Sequence, residues 1–380
     1  MSERFKKKLQ AYTEGQLSEQ EHQEMEAELE KMEIYQEYLN EMTGTTEETS
    51  LIEQKAVKRG KKKSLMANVF NTIGAFIAIA MISSLITNLY FGIGSNTRSE
   101  QLREAVEVAV LTTMPNMSTN GVSSATTLWL QLYQDTRLVR TLGNERLDIG
   151  ELSMRHDVFS RVNSFHLPWE ARNNVPFIQY PSDENNPSWS LSAFQQLEQL
   201  PEGTMMELYL SFDRTMSMEE VFDLFRGRDV DIRWMAVERG LPLAGRLIIG
   251  GSQLGIPGDS YLLRRHWTIE EMEPVQQGAW TITGSSSFIE SPQPFEGVEF
   301  REMEFLQALE IMQQHPQVTR NFYWDNFDES VAHIHEHGIN IFGAVITGPR
   351  NALLQLRDED WIEWAEVGQV EFLNWGNHWE

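Results

Sequence analysis

One stretch of the chain differs from all others in its hydrophobic pattern. Between Ser64 and Thr97 no residue carries a charge, and the most apolar part runs from 70 to 93. About 20 apolar residues cross a bilayer as a helix, so the pattern predicts one transmembrane helix over 70–93. A buried core helix is the alternative, because polar side chains lie inside the stretch: Asn71, Ser83, Ser84, Thr87 and Asn88.

The charges that flank this stretch predict its orientation. Six basic residues lie between Lys55 and Lys63, in a basic juxtamembrane linker over 55–69. Only Arg98 and Arg103 follow the apolar part closely. Positive charge stays on the cytoplasmic side, so we expect a single-pass protein of the cell membrane with a cytoplasmic N-terminus and an extracytoplasmic C-terminal domain. The apolar stretch starts too far along the chain for a cleaved signal peptide.

Small and polar residues inside the predicted span repeat at helical spacing. Gly74 and Ala78 are four residues apart, and so are Ser84 and Asn88. Small residues let helices approach closely in lipid, and an asparagine favours a hydrogen-bonded partner. We therefore expect this helix to contact another membrane helix, either its own copy or a second membrane component. The alternative is a lone helix whose polar residues reach the outer interface.

The first 54 residues show the pattern of two amphipathic helices and predict a small cytoplasmic helical hairpin over 1–54. Apolar residues recur at spacings of three and four over 3–13, and Gly15 suits the end of that helix. Ser18 and Glu21 have the spacing of a capping box, which opens a second helix to about residue 41. Two such helices bury little surface, so their apolar stripe is expected to bind a partner or a second copy, or to form a coiled-coil stub. The stripe comprises Phe5, Leu9, Tyr12, Leu17, Met25, Leu29, Met32, Tyr35 and Leu39.

Beyond residue 94 the pattern becomes that of an α+β domain. Two strand–helix–strand halves in its C-terminal part suggest a mixed sheet with helices on one face and ferredoxin-like halves. We divide this part into a membrane-proximal region (94–200) and a C-terminal domain (201–380). The pattern predicts helices over 99–113, 217–227, 326–337 and 349–357, strands over 127–142, 206–212, 230–237, 339–347 and 362–372, and loops over 114–126 and 181–190.

Charge and cysteine content narrow the function classes. The chain has 31 Lys+Arg against 56 Asp+Glu, for a formal net charge of -25. Such a surface repels phosphates, which argues against direct binding of nucleic acid. The chain has no cysteine. This excludes disulfides, a cysteine nucleophile and cysteine-ligated metal sites.

The outer part holds few candidates for catalysis. Among His333, His335 and His337, helical spacing places only the first and last on one face, and a solvated helix end is the simpler interpretation. The glycine-rich stretch 250–258 lacks the Lys-Ser/Thr ending of a phosphate loop, and 285–287 lacks a Gly-x-Ser-x-Gly elbow. We therefore predict no catalytic residue, no metal site, no cofactor and no enzyme activity. Tryptophans that either line a ligand groove or pack in the core include Trp361, Trp364, Trp375 and Trp379.

A motif in the N-terminal helices carries a family resemblance: Tyr12-x-x-Gly15-x-Leu17-Ser18-x-x-Glu21, with Glu26 and Leu29 further on. It resembles the inner domain of zinc-type anti-sigma factors, whose second helix carries His-Leu-x-x-Cys-x-x-Cys. Here the histidine position falls on Glu28 and the cysteine positions fall on Met32 and Tyr35, so every zinc ligand is lost. The resemblance implies a helical pair that binds a sigma factor without zinc.

Three outer segments carry a second resemblance: Leu208–Asp213, Val230–Trp234 and His337–Pro349. They are similar to the outer domain of the sigma-factor-regulator family of Gram-positive bacteria. The resemblance implies an anti-sigma factor that sequesters an extracytoplasmic-function sigma factor and answers to envelope signals through its outer domain. The alternative is a membrane-anchored envelope enzyme or ligand-binding protein. A mere anchor needs only a few basic residues, whereas this chain has two capped, striped helices before its span.

Overall fold

The structure is a computed structural model, and the chain falls into two compact units, Met1–Ile79 and Ala80–Glu380. Parts of three sequence predictions lie outside the residues that it describes: 250–252 of the glycine-rich stretch, 182–187 of the predicted loop, and Trp375 with Trp379. The described residues are 3–15, 17–42, 46–94, 96–159, 161–173, 176, 178–181, 188–240, 253–258, 262–263, 268–271, 275–277, 280–282, 285–288 and 295–372.

The N-terminal unit is helical, with α1 at Glu3–Thr13, α2 at Glu19–Met42 and α3 at Thr46–Gly92, whose last thirteen residues belong to the second unit. Both predicted N-terminal helices are present. Gly15 follows α1 with φ 68°, a left-handed conformation that glycine adopts without steric cost. The Glu21 carboxylate accepts hydrogen bonds from the Ser18 N–H at 3.2 Å and the Ser18 hydroxyl at 2.7 Å. This contact fixes the start of α2.

Helix α3 is continuous from Thr46 through the predicted basic linker to Gly92. Within it, Lys55–Gly92 is long and apolar enough to cross a membrane, with a mean hydropathy of 2.1 in its most apolar window. Only 6% of this most apolar part is buried inside the protein, which argues against the alternative of a core helix. Length, composition and exposure make α3 a candidate transmembrane helix.

The second unit is α+β. After α3 its described elements are α4 (Arg98–Thr113), β1 (Met117–Thr119), β2 (Ser123–Thr126), β3 (Gln131–Leu142), β4 (Glu145–Asp157), β5 (Val162–His166), α5 (Trp169–Asn173), α6 (Ser188–Gln199), β6 (Thr204–Met216), α7 (Met218–Phe225), β7 (Asp231–Val237), β8 (Gly255–Pro257), β9 (Thr268–Glu271), β10 (Val275–Gln277), β11 (Trp280–Ile282), β12 (Ser285–Phe288), α8 (Val298–Gln314), α9 (Pro316–Phe322), α10 (Phe327–His337), β13 (Ile341–Pro349), α11 (Arg350–Leu354) and β14 (Ile362–Phe372).

The first sheet is formed by β1, β3, β4 and β5 in that order, and β2 also pairs with β3. The predicted loop over 114–126 is therefore wrong, because it contains β1 and β2. The side chains of β2 are all exposed Ser, Ala and Thr, so no apolar alternation marks the strand in the sequence. The strand predicted from residue 127 begins at Gln131, and 127–130 forms the turn between β2 and β3.

The second sheet has the order β14-β6-β13-β7-β8, and all of its pairs are antiparallel. The expectation of a mixed sheet is wrong. The connection from β6 through α7 to β7 leaves a gap that β13 fills, and β13 runs opposite to both neighbours. The predicted start of α7 is confirmed, since Ser217 and Glu220 form both hydrogen bonds of a capping box. The last strand, β14, has the predicted bounds.

A buried ion pair joins the two sheets. Arg140 of β3 lies 3.5 Å from Glu207 of β6, and their side chains are 3% and 0% exposed. Asn116 donates to the same carboxylate at 2.6 Å, and the Gln369 N–H donates to it at 3.1 Å. Trp361 packs edge-on against aromatic rings of the core, which supports the core-packing interpretation for this tryptophan.

Candidate functional site

The first half of α2 packs against α1. The rings of Tyr12 and His22 stack with centroids 4.4 Å apart, and Lys8 Nζ lies 3.7 Å from a Glu24 carboxylate oxygen. Met25 is 1% exposed and is the buried residue of α2. Four predicted stripe residues on α1 and in the connection to α2 are half-buried: Phe5, Leu9, Tyr12 and Leu17.

The second half of α2 is exposed. Leu29 is half-buried, but beyond it Met32 is 38% exposed, Tyr35 68% and Leu39 46%. The structure therefore does not bring the nine predicted stripe residues together on one packed face. Sequence reasoning missed three further apolar residues of this exposed half, although their spacing of four was visible: Ile34, Tyr38 and Met42, at 60%, 58% and 69% exposure.

Carboxylates surround these apolar side chains. Helix α2 carries nine glutamates and one lysine. The Ser18 hydroxyl and the Ser18 N–H hold the pKa of Glu21 below its ordinary value, so this carboxylate stays ionised at neutral pH. An apolar patch with an acidic rim suits a partner that presents an apolar patch among basic residues. We call the exposed apolar residues of this half the α2 patch: Met32, Ile34, Tyr35, Tyr38, Leu39 and Met42.

The candidate metal ligands form no site within the described part of the chain, which holds no group of three or more His, Asp or Glu arranged around a point. The rings of His333 and His337 stack with centroids 4.1 Å apart, on the shared helix face that their spacing predicts. His333 Nε2 lies 3.9 Å from Glu238. In α2, exposed Glu28, Met32 and Tyr35 occupy the zinc-ligand positions of the resemblance, and this set lacks the donors that zinc prefers.

The C-terminal end of α3 has partners within its own unit. Asn88 donates to the Ser84 carbonyl at 2.9 Å, and its Oδ1 accepts from the Thr126 hydroxyl at 3.0 Å. Thr87 was not among the predicted site residues, yet it is 0% exposed and accepts from the Leu130 N–H at 3.1 Å. The cluster of polar residues at 83–88 was the signal that could have identified it.

The two other predicted helix-packing residues lie on open surface. Ala78 is exposed, and a Cβ added at Gly74 would meet no atom within 4 Å. Contact of these residues with another membrane helix stays a prediction. Ser84 is half-buried and belongs to the segment that carries the Asn88 contact.

Two family models match the chain: "Sigma factor regulator N-terminal" over residues 54–147 and "Sigma factor regulator C-terminal" over 197–369. The chain belongs to the sigma-factor-regulator family, and the resemblance to this family that the three outer segments carry is confirmed. The chain is also similar to a protein of Bacillus subtilis (strain 168) named "Probable anti-sigma-M factor YhdL". The two are 28% identical over 394 aligned residues, which cover 99% of this chain and 100% of the relative. No solved structure matches the chain.

Proposed function

We propose that this protein is a membrane-anchored anti-sigma factor that sequesters an extracytoplasmic-function sigma factor through α1 and α2. The observation that carries the proposal is the α2 patch, which α1 leaves exposed on a short domain before the candidate span. Membership of the sigma-factor-regulator family and the name of the Bacillus subtilis relative support it. A sigma-M-like factor is the first partner to test.

The chemistry of α2 suits this role. A protein that binds DNA presents basic surface to the phosphates. A helix with nine glutamates can complement such a surface, while its apolar residues give affinity when they are desolvated. Because Glu28, Met32 and Tyr35 replace the zinc ligands, added zinc or a chelator is expected to leave the affinity unchanged.

The matching experiment is purification of the full-length protein from its host in mild detergent, with mass-spectrometric identification of bound proteins. We expect a sigma factor in stoichiometric amount, and expect Tyr35→Asp to lose it. The matched control is Gln36→Asp, which adds the same charge at the next exposed position of the helix. Purified protein that carries no sigma factor, or a Tyr35→Asp variant that retains it fully, contradicts the proposal.

We further propose that the N-terminus is cytoplasmic and that the outer domain passes envelope signals to the inner helices. The basic residues between Lys55 and Lys63 support this orientation. The strand order β14-β6-β13-β7, with α7 and α11 in the connections, supports a ferredoxin-like arrangement of the outer sheet. Exposed Gly74 and Ala78 leave a face of α3 for another membrane helix, either a second copy or a further membrane component.

The lysines offer a direct test of orientation. All nine lie at or before residue 63, and every basic residue beyond is arginine or histidine. A membrane-impermeant amine reagent applied to intact cells is therefore expected to leave the lysines unmodified, and to label them after the membrane is opened. Labelling of lysine in intact cells contradicts the orientation, because the sigma factor could then never meet α2.

A further inference from the structure

Two turns of the first sheet adjoin the outer end of α3. In the turn between β2 and β3 (127–130), the Leu130 N–H donates to the Thr87 hydroxyl oxygen. The neighbouring Thr126 hydroxyl donates to Asn88. Thr87 lies five residues before the end of α3, or about 7.5 Å back along the helix axis. This turn therefore reaches back along the candidate span rather than away from it.

The turn between β4 and β5 lies beside the first. The Val158 N–H donates to the Leu130 carbonyl at 3.1 Å. Asp157 closes this second turn, because its carboxylate accepts from the N–H groups of Phe159 and Arg161, both at 2.9 Å. The two turns and the last turns of α3 thus form one continuous surface of the outer unit.

The tips of both turns expose large apolar side chains. Leu128 is 52% exposed, Trp129 50% and Phe159 74%. Two side chains of α3 near the level of Thr87 are also exposed, Leu85 at 60% and Leu89 at 48%. Residues 64–380, which include this surface, are strongly acidic, with 20 arginines against 42 Asp and Glu. At the tips, however, the one acidic residue is Asp157, and Arg161 balances its charge.

We propose that Leu128, Trp129 and Phe159 dock into the interfacial region of the bilayer that α3 enters. The occupant is lipid because the surface continues the exposed apolar side of the candidate span. Tryptophan is also enriched at the level of lipid headgroups, where its ring is part apolar and part polar. Contact of α3 and of both turns with the bilayer then fixes the orientation of the first sheet relative to the membrane. This inference rests on the membrane anchoring in the proposed function.

Single-cysteine labelling tests the proposal, since the chain has no cysteine to interfere. The full chain carries Leu128→Cys or Phe159→Cys, labelled with the environment-sensitive fluorophore NBD. It is reconstituted into phosphatidylcholine–phosphatidylglycerol vesicles with or without a lipid that bears a shallow nitroxide quencher. The control is Asn144→Cys, exposed in the turn at the other end of β3 and about 36 Å away along an extended strand. Ile77→Cys in the span, tested with a lipid whose nitroxide lies deep in the acyl chain, reports insertion of α3.

We expect blue-shifted emission and loss of most of the intensity to the nitroxide lipid at positions 128 and 159, and neither effect at position 144. If position 77 is quenched but 128 and 159 behave like 144, the docking proposal is overturned and the anchoring stands. Blue-shifted emission without lipid quenching overturns it too and points to a protein partner. Absence of quenching at position 77 overturns the anchoring itself, and docking with it.

Discussion

The two units of the protein bury apolar side chains to very different degrees. Among the described side chains of Met1–Ile79, Met25 is the buried hydrophobic residue, and the α2 patch and residues 55–79 of the candidate span are exposed. The second unit, called the outer unit below after the proposed orientation, instead packs large side chains such as Tyr209, Phe222 and Trp234 at 0–1% exposure. Apolar surface on this scale in the N-terminal unit is stable only when a protein or a bilayer covers it. The N-terminal unit therefore exposes apolar surface that suits a binding partner or a bilayer, whereas the second unit buries its apolar side chains in its own core.

The largest expected effect is on the outer core. Glu207→Ala leaves Arg140 buried without its carboxylate, and breaking a buried pair in this way costs about 3–5 kcal/mol of unfolding free energy. The measurement is denaturant unfolding of the full chain in detergent, followed by tryptophan fluorescence. All eleven tryptophans lie beyond residue 128, so the signal reports the outer unit alone.

The matched control is Arg137→Ala, which breaks the exposed ion pair of the same strand with Asp148. Because both groups are well exposed to solvent, this change is expected to have little effect on the unfolding free energy. Equal effects of the two substitutions would show that the Arg140–Glu207 contact does not join the sheets.

The next effect concerns pH. Burial lowers the pKa of His156 from 6.5 to about 4, with a further contribution from the nearby His315. Between these values the unfolded chain binds a proton that the folded chain does not. Stability is therefore complete above about pH 6.5 and falls as the pH drops toward 4, by roughly 3 kcal/mol for this group. The measurement is the fluorescence-detected unfolding free energy at pH 7 and pH 4.5.

His156→Gln is the variant that isolates this effect, because it removes the titrating ring and can keep a contact with Gln134, whose Oε1 lies 2.9 Å from His156 Nε2. Other groups titrate in the same range, so the quantity of interest is the difference between wild type and variant. A pH dependence that is the same in both proteins would contradict the assignment.

A change in the α2 patch should weaken partner binding without affecting the outer core. Burial of one large apolar side chain is worth about 1.5–3 kcal/mol, so Tyr35→Asp or Met42→Asp should weaken sigma-factor binding about tenfold or more. The measurement is affinity of the full chain in detergent for the purified sigma factor. Met25→Asp is a poor probe, because Met25 is buried and its loss disturbs the helices themselves.

Tryptophan-detected unfolding of the same variants provides the control, and it should match wild type. If a variant loses both sigma-factor binding and unfolding free energy of the outer unit, the two units do not act independently. If both patch variants bind the sigma factor with full affinity, the exposed half of α2 is not the interface.

The smallest effect lies in the last turns of α3, within the second unit. Thr87→Val leaves the Leu130 N–H without its acceptor, and Asn88→Leu removes the contact with Thr126, so each should cost about 1–2 kcal/mol of outer-unit stability. Gly74→Ala serves as control, since the added methyl group meets no neighbour. Promoter activity at matched protein levels then shows whether this contact tunes signalling. Wild-type stability would contradict the stabilising contact, and unchanged promoter activity would contradict a role of this contact in signalling.

Local signals explain which elements were predictable. Capping boxes, glycines and strong periodicity correctly indicated α1, α2, α7, α10 and β14, because each signal acts within a few residues of its element. β1 was not predicted, since it pairs with residues of β3 that are 19 to 23 positions away in the sequence. β2 was not predicted, since its exposed Ser, Ala and Thr side chains show no apolar alternation. The antiparallel order of the second sheet likewise depends on β13, which arrives more than 100 residues after β7.

The amino-acid sequence was enough to identify the charge-free span, its basic flank, the acidic helices before it and the family to which the chain belongs. These follow from composition and local spacing, which need no knowledge of distant contacts. Which apolar residues remain exposed depends instead on tertiary contacts. Met25 and Tyr35 look alike in the apolar stripe, but α1 covers the first and leaves the second at 68% exposure. Thr87 interrupts the apolar pattern of the span, but its hydroxyl oxygen accepts a hydrogen bond from the Leu130 N–H. Burial depends on what the rest of the chain places opposite a residue, and a one-dimensional pattern does not contain that information.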